Sequence, residues 1–122
     1  MTIQDQMKGL LDQTPDIALL AFGDLSSGLI LNWSARTHCQ REVLDLLADQ
    51  AAKCFAVLGR DAQNRTKTVT SMIHFTEHGT QIFARATSAA DDAICAVCEP
   101  GAELEPLFHA ACALADEIAN AS

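Results

Sequence analysis

The chain has 122 residues, of which 49% are hydrophobic, 20% are charged and only 5% are aromatic. This length fits one domain and is enough to bury a core without a metal or a disulfide. The formal net charge of −8 argues against nonspecific binding to nucleic acid or to an anionic membrane, because both depend on Lys and Arg. We therefore expect a single domain over residues 1–122, with no nucleic acid and no membrane as a partner.

The first elements in chain order are a helix and two strands. Apolar residues at helical spacing predict a helix over residues 2–13, which Pro15 ends because it lacks a backbone donor. Residues 17–23 are continuously apolar, which is typical of a strand covered on both faces. The sequence Asp-Leu-Ser-Ser-Gly then has turn chemistry and leads into a returning strand over 29–33.

A long amphipathic helix is predicted from about residue 40 to residue 58. Charged residues fill one side of it, and Gly59 is well placed to end it. The apolar residues of the other side recur at spacings of three and four: Val43, Leu44, Leu47, Ala48, Ala51, Cys54, Phe55 and Leu58.

The second half of the chain predicts three strands and a closing helix. Apolar and polar residues alternate along 67–76, which is the pattern of a strand. Residues 81–87 and 93–98 predict two further strands, and about 104–118 the closing helix. Since the strand over 93–98 is apolar on both faces, we expect it beside the first strand, in the centre of the sheet.

Together these elements predict an α+β fold in the order helix, strand, strand, helix, strand, strand, strand, helix. Short turns within each group of strands favour a five-stranded, mainly antiparallel sheet. The long helix can cover one face and the two terminal helices the other. The prediction is a three-layer α/β/α sandwich.

This order of elements resembles the roadblock / dynein light-chain family and its bacterial relatives. The apolar strand with the turn Asp24 to Ile30 looks like the family's opening hairpin, and the Ala-rich helix over 43–58 looks like its central helix. Residues 69–86 look like its second hairpin, and 93–118 like its last strand and closing helix. The resemblance implies a single roadblock-like domain with a profilin-like fold.

The resemblance also implies a homodimer in which the second hairpin's edge strand and the central helix of two copies meet. Here the strand would be 67–76, which contains no Pro and only Lys67 as a charge. An edge strand with no Pro and so few charged residues can pair with a strand of another chain. The interface residues that we predict are Thr68, Thr70, Met72 and His74 on the strand and Leu47 and Ala51 on the helix.

The function implied by the resemblance is that of a non-catalytic scaffold or regulator. It would bind a protein partner such as a small Ras-like GTPase, and would need no cofactor or metal. Trp with a nearby Arg is common at interfaces, so we predict Trp33 and Arg36 at the partner surface. Free cysteines within apolar segments and a polar N-terminus favour the cytoplasm.

The alternative is a small-molecule or zinc-sensing module of similar fold. His74, His78, Cys95 and Cys98 are residue types that zinc accepts. Residues three apart on a strand point to opposite faces, however, so Cys95 and Cys98 are not expected to converge on one ion.

A hydrolase is the third possibility that the sequence offers. The serines lack the Gly-x-Ser-x-Gly pattern of a nucleophile elbow. Cys39 lies beside His38, but adjacent residues rarely aim their side chains at each other. We therefore expect that the protein is not an enzyme.

Overall fold

The structure is a computed structural model that describes residues 2–58, 70–77, 79–86 and 91–121. The predictions made for Gly59, Lys67, Thr68, Val69 and His78 lie outside these residues. The elements follow the predicted order: α1 (Ile3–Gln13), β1 (Ile17–Asp24), β2 (Leu29–Ala35), α2 (Arg41–Leu58), β3 (Ser71–Thr76), β4 (Gly79–Arg85), β5 (Asp92–Cys98) and α3 (Leu104–Ala121).

Local polar chemistry fixes the start of α1. The Thr2 hydroxyl accepts a hydrogen bond from the Asp5 amide at 3.1 Å, and the Asp5 carboxylate accepts one from the Thr2 amide at 3.2 Å. This reciprocal capping box satisfies two backbone donors that a helix start otherwise leaves unpaired. Hydrogen bonds to the Asp5 carboxyl from the backbone and the side chain of Thr2 hold the pKa of this carboxyl below its ordinary value.

The turn between β1 and β2 uses the predicted side chains. The Asp24 carboxylate accepts hydrogen bonds from the Ser26 amide at 3.1 Å, the Ser26 hydroxyl at 2.7 Å and the Ser27 hydroxyl at 3.0 Å. Gly28 has a φ of 71°, in the left-handed region that glycine enters without a steric penalty. Local chemistry thus favours the reversal, and the Leu25 amide adds a long-range hydrogen bond to the Asp91 carbonyl at 2.7 Å.

The five strands form one antiparallel sheet in the order β2-β1-β5-β4-β3. The two strands without a polar face, β1 and β5, lie next to each other at its centre, as the sequence predicts. β2 and β3 form the two edges.

Both faces of the sheet are covered, and the core consists of two clusters. One cluster joins α1 and α3 to the sheet through residues such as Met7, Leu20 and Leu107. The other joins α2 to the opposite face through residues such as Leu44 and Phe83. The predicted three-layer α/β/α sandwich is confirmed.

Among the described residues, no helix combines the length and the apolar character needed to cross a lipid bilayer.

Candidate functional site

The edge strand β3 presents backbone groups to its open side. The Thr70 carbonyl accepts a hydrogen bond from the Arg85 amide at 2.7 Å, and β3 continues in register with β4 from that pair. In an antiparallel ladder the bonded residues alternate. The N–H and C=O groups of Ser71, Ile73 and Phe75 therefore point away from β4, and no described residue hydrogen-bonds to them.

The side chains of this edge are also suited to contact another chain. Ile73 is 36% exposed and Phe75 is 69% exposed. Ser71–Thr76 contains no Asp, Glu, Lys or Arg. Sheet proteins commonly guard an edge with Lys, Pro or a covering element, and none of these lies on β3 within the described residues.

The opposite edge, β2, differs because other parts of the chain occupy it. The Gln4 amide of α1 donates to the Trp33 carbonyl at 2.7 Å. The Arg41 guanidinium of α2 donates to the Ile30 carbonyl at 3.2 Å. These side chains use acceptors that an added strand would need. β3 is thus the edge more open to pairing.

Three of the side chains that the sequence predicts at the dimer interface are buried within one copy. Leu47 is 2% exposed, Ala51 is fully buried and Met72 is 8% exposed, and all three lie in the cluster between α2 and the sheet. They are core residues of one copy and leave almost no surface for a second copy. This corrects the sequence-based choice, because alternation along β3 does not reveal which face α2 covers.

The remaining predicted interface residues lie on the same side of β3 as Met72. Thr70 and His74 are half-buried, and His74 Nδ1 is 2.8 Å from the side-chain oxygen of Gln81 on β4. The Gln81 amide in turn donates to Gln50 of α2 at 2.9 Å. This polar chain ties the edge strand to α2. Thr68 lies outside the described residues.

The outer side of α2 carries apolar residues that periodicity does not assign to the surface. Val43 is 48% exposed, although the sequence places it on the buried side, and Leu46 is 57% exposed. Trp33 of β2 is 40% exposed, and its ring lies 5.7 Å from the Arg41 guanidinium at the start of α2. These side chains place apolar surface on the α2 side of the sheet.

Arg36 has a structural role in this fold. Its guanidinium donates to the Ile17 carbonyl at 2.8 Å, to the Thr14 carbonyl at 2.6 Å and to the Leu11 carbonyl. A cation there donates hydrogen bonds to carbonyls at the C-terminal end of α1 and interacts favourably with the partial negative charge of that helix end. Of the two predicted partner-surface residues, Trp33 thus offers free surface, while the Arg36 guanidinium is already engaged.

The cysteines do not form the zinc site of the alternative interpretation. Cys95 lies in the cluster under α2, and Cys98 lies in the cluster under α1 and α3. Because the two thiols are on opposite faces of the sheet, they cannot bind the same ion. His78 lies outside the described residues, and no group of three or more metal-ligating side chains occurs among the residues that are described.

Burial raises the pKa of the Cys95 thiol to about 12. The ordinary pKa of this thiol is 9.0, so around and above that pH the unfolded state binds fewer protons than the folded state. The stability that comes from burying the neutral thiol is present at lower pH and falls as pH rises towards 12. Between pH 8 and pH 10 we expect the unfolding free energy of Cys95→Ala to fall by about 1.4 kcal/mol less than that of the unsubstituted protein. Urea denaturation at both pH values measures this difference, and equal losses would contradict it.

An antiparallel five-stranded sheet with terminal helices on one face and a single long helix on the other defines a profilin-like α+β protein. Its open edge strand lies in the second hairpin. No family model matches the sequence, and no curated protein matches it significantly. The comparison with solved structures therefore carries the assignment of the fold.

That comparison gives the chain the roadblock/LC7 fold. A Roadblock/LC7 domain from Streptomyces avermitilis is similar with a TM-score of 0.76 and 12% identity, over 97% of this chain and 95% of that one. An MglB described "with tetrameric arrangement" gives 0.78 and 16%, over 97% and 85%. The profilin of Schizosaccharomyces pombe gives 0.63 and 16%, over 99% of both chains.

Proposed function

We propose that this protein is a non-catalytic homodimer that acts as a scaffold or regulator for a partner protein. The observation that carries the proposal is the open β3 edge, with outward backbone groups and the exposed side chains of Ile73 and Phe75. The partner that we favour is a small Ras-like GTPase, as the resemblance to the roadblock family implies.

Pairing of β3 with its twin would join two five-stranded sheets into one of ten strands. An antiparallel pair of identical strands requires a two-fold axis perpendicular to the sheet, which makes the contact self-complementary. That axis places α2 of both copies on the same face. The outer residues Val43 and Leu46 would then occur twice on one composite surface.

This composite surface is the partner site that we propose. Trp33, Val43 and Leu46 all face the α2 side and are 40%, 48% and 57% exposed. Aromatic and large apolar side chains dominate the energetics of protein interfaces. The fold of an MglB with a tetrameric arrangement supports association of such chains. Five free cysteines suit a reducing compartment, so we place the protein in the cytoplasm.

The proposal is tested by capture of Ras-like GTPases of the same organism, each purified and loaded with GDP or with a non-hydrolysable GTP analogue. The immobilised protein should retain one of them in a nucleotide-dependent way. Leu46→Glu should abolish retention, because it places a charge in the composite surface. Leu29→Glu is the matched control, since Leu29 is 49% exposed but its side chain lies on the other face of the sheet, because the next residue, Ile30, packs on the α2 side.

Sedimentation equilibrium on the same samples gives the oligomeric state independently. A dimer that retains no GTPase would remove the GTPase from the proposal and leave the scaffold dimer. A monomer at about 100 μM, well above the dissociation constants of stable dimers, would contradict the whole proposal.

A further inference from the structure

A groove runs between α1 and α3 on the face of the sheet opposite α2. It encloses about 390 Å³. Its floor is apolar, formed by Leu10, which is half-buried, and Leu114, which is 4% exposed. Along α1 its lining runs from Asp5 to Gln13, a length of about 12 Å at the helical rise, which matches roughly two turns of a second helix.

The walls of the groove carry small residues. Gly9 of α1 and Ala110 and Ala113 of α3 line it, and a Cβ added at Gly9 would meet no atom within 4 Å. Small residues along facing ridges let a further helix approach closely, which increases the packed area for a given groove length. The groove contains no aromatic residue among its lining. It therefore does not suit a polyproline segment, which docks between aromatic rings.

The charged residues that line the groove favour an occupant of positive charge. Both charged residues of the lining, Asp5 and Glu117, are acidic. They lie where the start of α1 meets the last turns of α3. The partial charges of these two helix ends have opposite signs, so the negative charge of the groove comes from the two carboxylates. The hydrogen bonds from Thr2 keep the Asp5 carboxyl ionised to lower pH than usual. A Lys or Arg of the occupant would find complementary charge at this end.

We propose that this groove docks a basic amphipathic helix of a partner protein, with an apolar stripe against Leu10 and Leu114 and a basic residue near Asp5 and Glu117. The groove and the β3 edge are separate surfaces, and α2 lies on the other face of the sheet. A dimer could therefore hold this helix and a partner on α2 together. The proposal does not depend on the function proposed above.

The test uses an 18-residue fluorescein-labelled peptide, designed as a helix with a Leu/Ala stripe flanked by Lys, and measures its anisotropy on titration with the protein. A twin peptide with Glu in place of Lys controls for charge. The Lys peptide should bind with a dissociation constant below about 200 μM, and binding should weaken as salt rises from 50 to 300 mM. The Glu peptide should not bind.

Two variants with matched controls locate the binding. Glu117→Lys should weaken binding about tenfold, whereas Asp116→Lys, on the same turn but outside the lining, should change it less than about twofold. Ala113→Gln fills the groove and should abolish binding. Ala56→Gln, at an exposed position of α2, should leave binding unchanged. Circular dichroism checks that each variant folds.

Each other outcome overturns the proposal. Absence of binding at 1 mM protein would show that the groove does not accept such a helix. Equal binding by Glu117→Lys and Asp116→Lys would show general attraction to an acidic protein. Binding of the Glu peptide would show that charge does not select the occupant. None of these results bears on the dimer through β3.

Discussion

Replacing Arg36 with Met is expected to lower the free energy of unfolding by about 3 kcal/mol. The guanidinium donates to three carbonyls that come from the end of α1, the following turn and the start of β1. Met keeps much of the aliphatic volume but has no donor. The carbonyls of Leu11 and Ile17 would then be left partly buried without their partner, which costs more than the bonds alone contribute.

Arg41→Met is the matched control for this prediction. Among the described residues, Arg41 donates to one carbonyl, forms an exposed ion pair with Asp45 at 3.3 Å and contacts Trp33. Exposed pairs of this kind contribute about 1 kcal/mol or less. Urea denaturation at one fixed protein concentration measures both variants, since association would add to apparent stability. Equal losses for the two would contradict the structural role of Arg36.

Ile73→Pro is expected to raise the dissociation constant of the dimer at least about a hundredfold. The Ile73 amide points away from β4, so proline removes no ladder bond within the chain, and proline is tolerated at the outer side of an edge strand. In the dimer, the same amide would donate a hydrogen bond to β3 of the other copy. Proline removes this donor, and its ring would lie between the two β3 strands. Sedimentation velocity across a dilution series measures the shift.

Side-chain variants give an independent test of the same contact between the two β3 strands. Phe75→Glu places a charge from each copy near the two-fold axis and should also dissociate the dimer. Leu31→Glu makes the same kind of change at the opposite edge, where Leu31 is 52% exposed against 69% for Phe75. It should leave the dimer intact. If Leu31→Glu dissociated the dimer and Phe75→Glu did not, the contact would lie at β2.

The sequence predicts nearly all of this fold because its signals are local and consistent. Continuous apolar runs mark β1 and β5 as central, and the Asp24 turn closes the first hairpin by side-chain hydrogen bonds. The stripe on α2 identifies its buried residues Leu44, Leu47, Ala48, Ala51 and Phe55, whereas Val43 is exposed and Cys54 is half-buried. These features depend on neighbours in sequence, so periodicity and turn chemistry reveal them.

The candidate site is less predictable because it depends on relations between distant residues. Alternation along β3 gives two faces, but only the position of α2 decides that Met72 is buried and Phe75 is exposed. Arg36 looks like a free surface cation in the sequence, because its acceptors lie 19 to 25 residues away. The groove likewise exists only because α1 and α3 pack side by side.

Amide hydrogen exchange along β3 tests the central claim most directly. In the dimer that we propose, the outward amides of Ile73 and Phe75 are hydrogen-bonded and should exchange slowly at high protein concentration. They should lose this protection on dilution. The outward amide of Trp33, on the β2 edge, is the reference, because no described residue accepts a hydrogen bond from it. If Ile73 and Phe75 exchanged as fast as Trp33 at about 1 mM protein, β3 would not be the surface through which two copies pair.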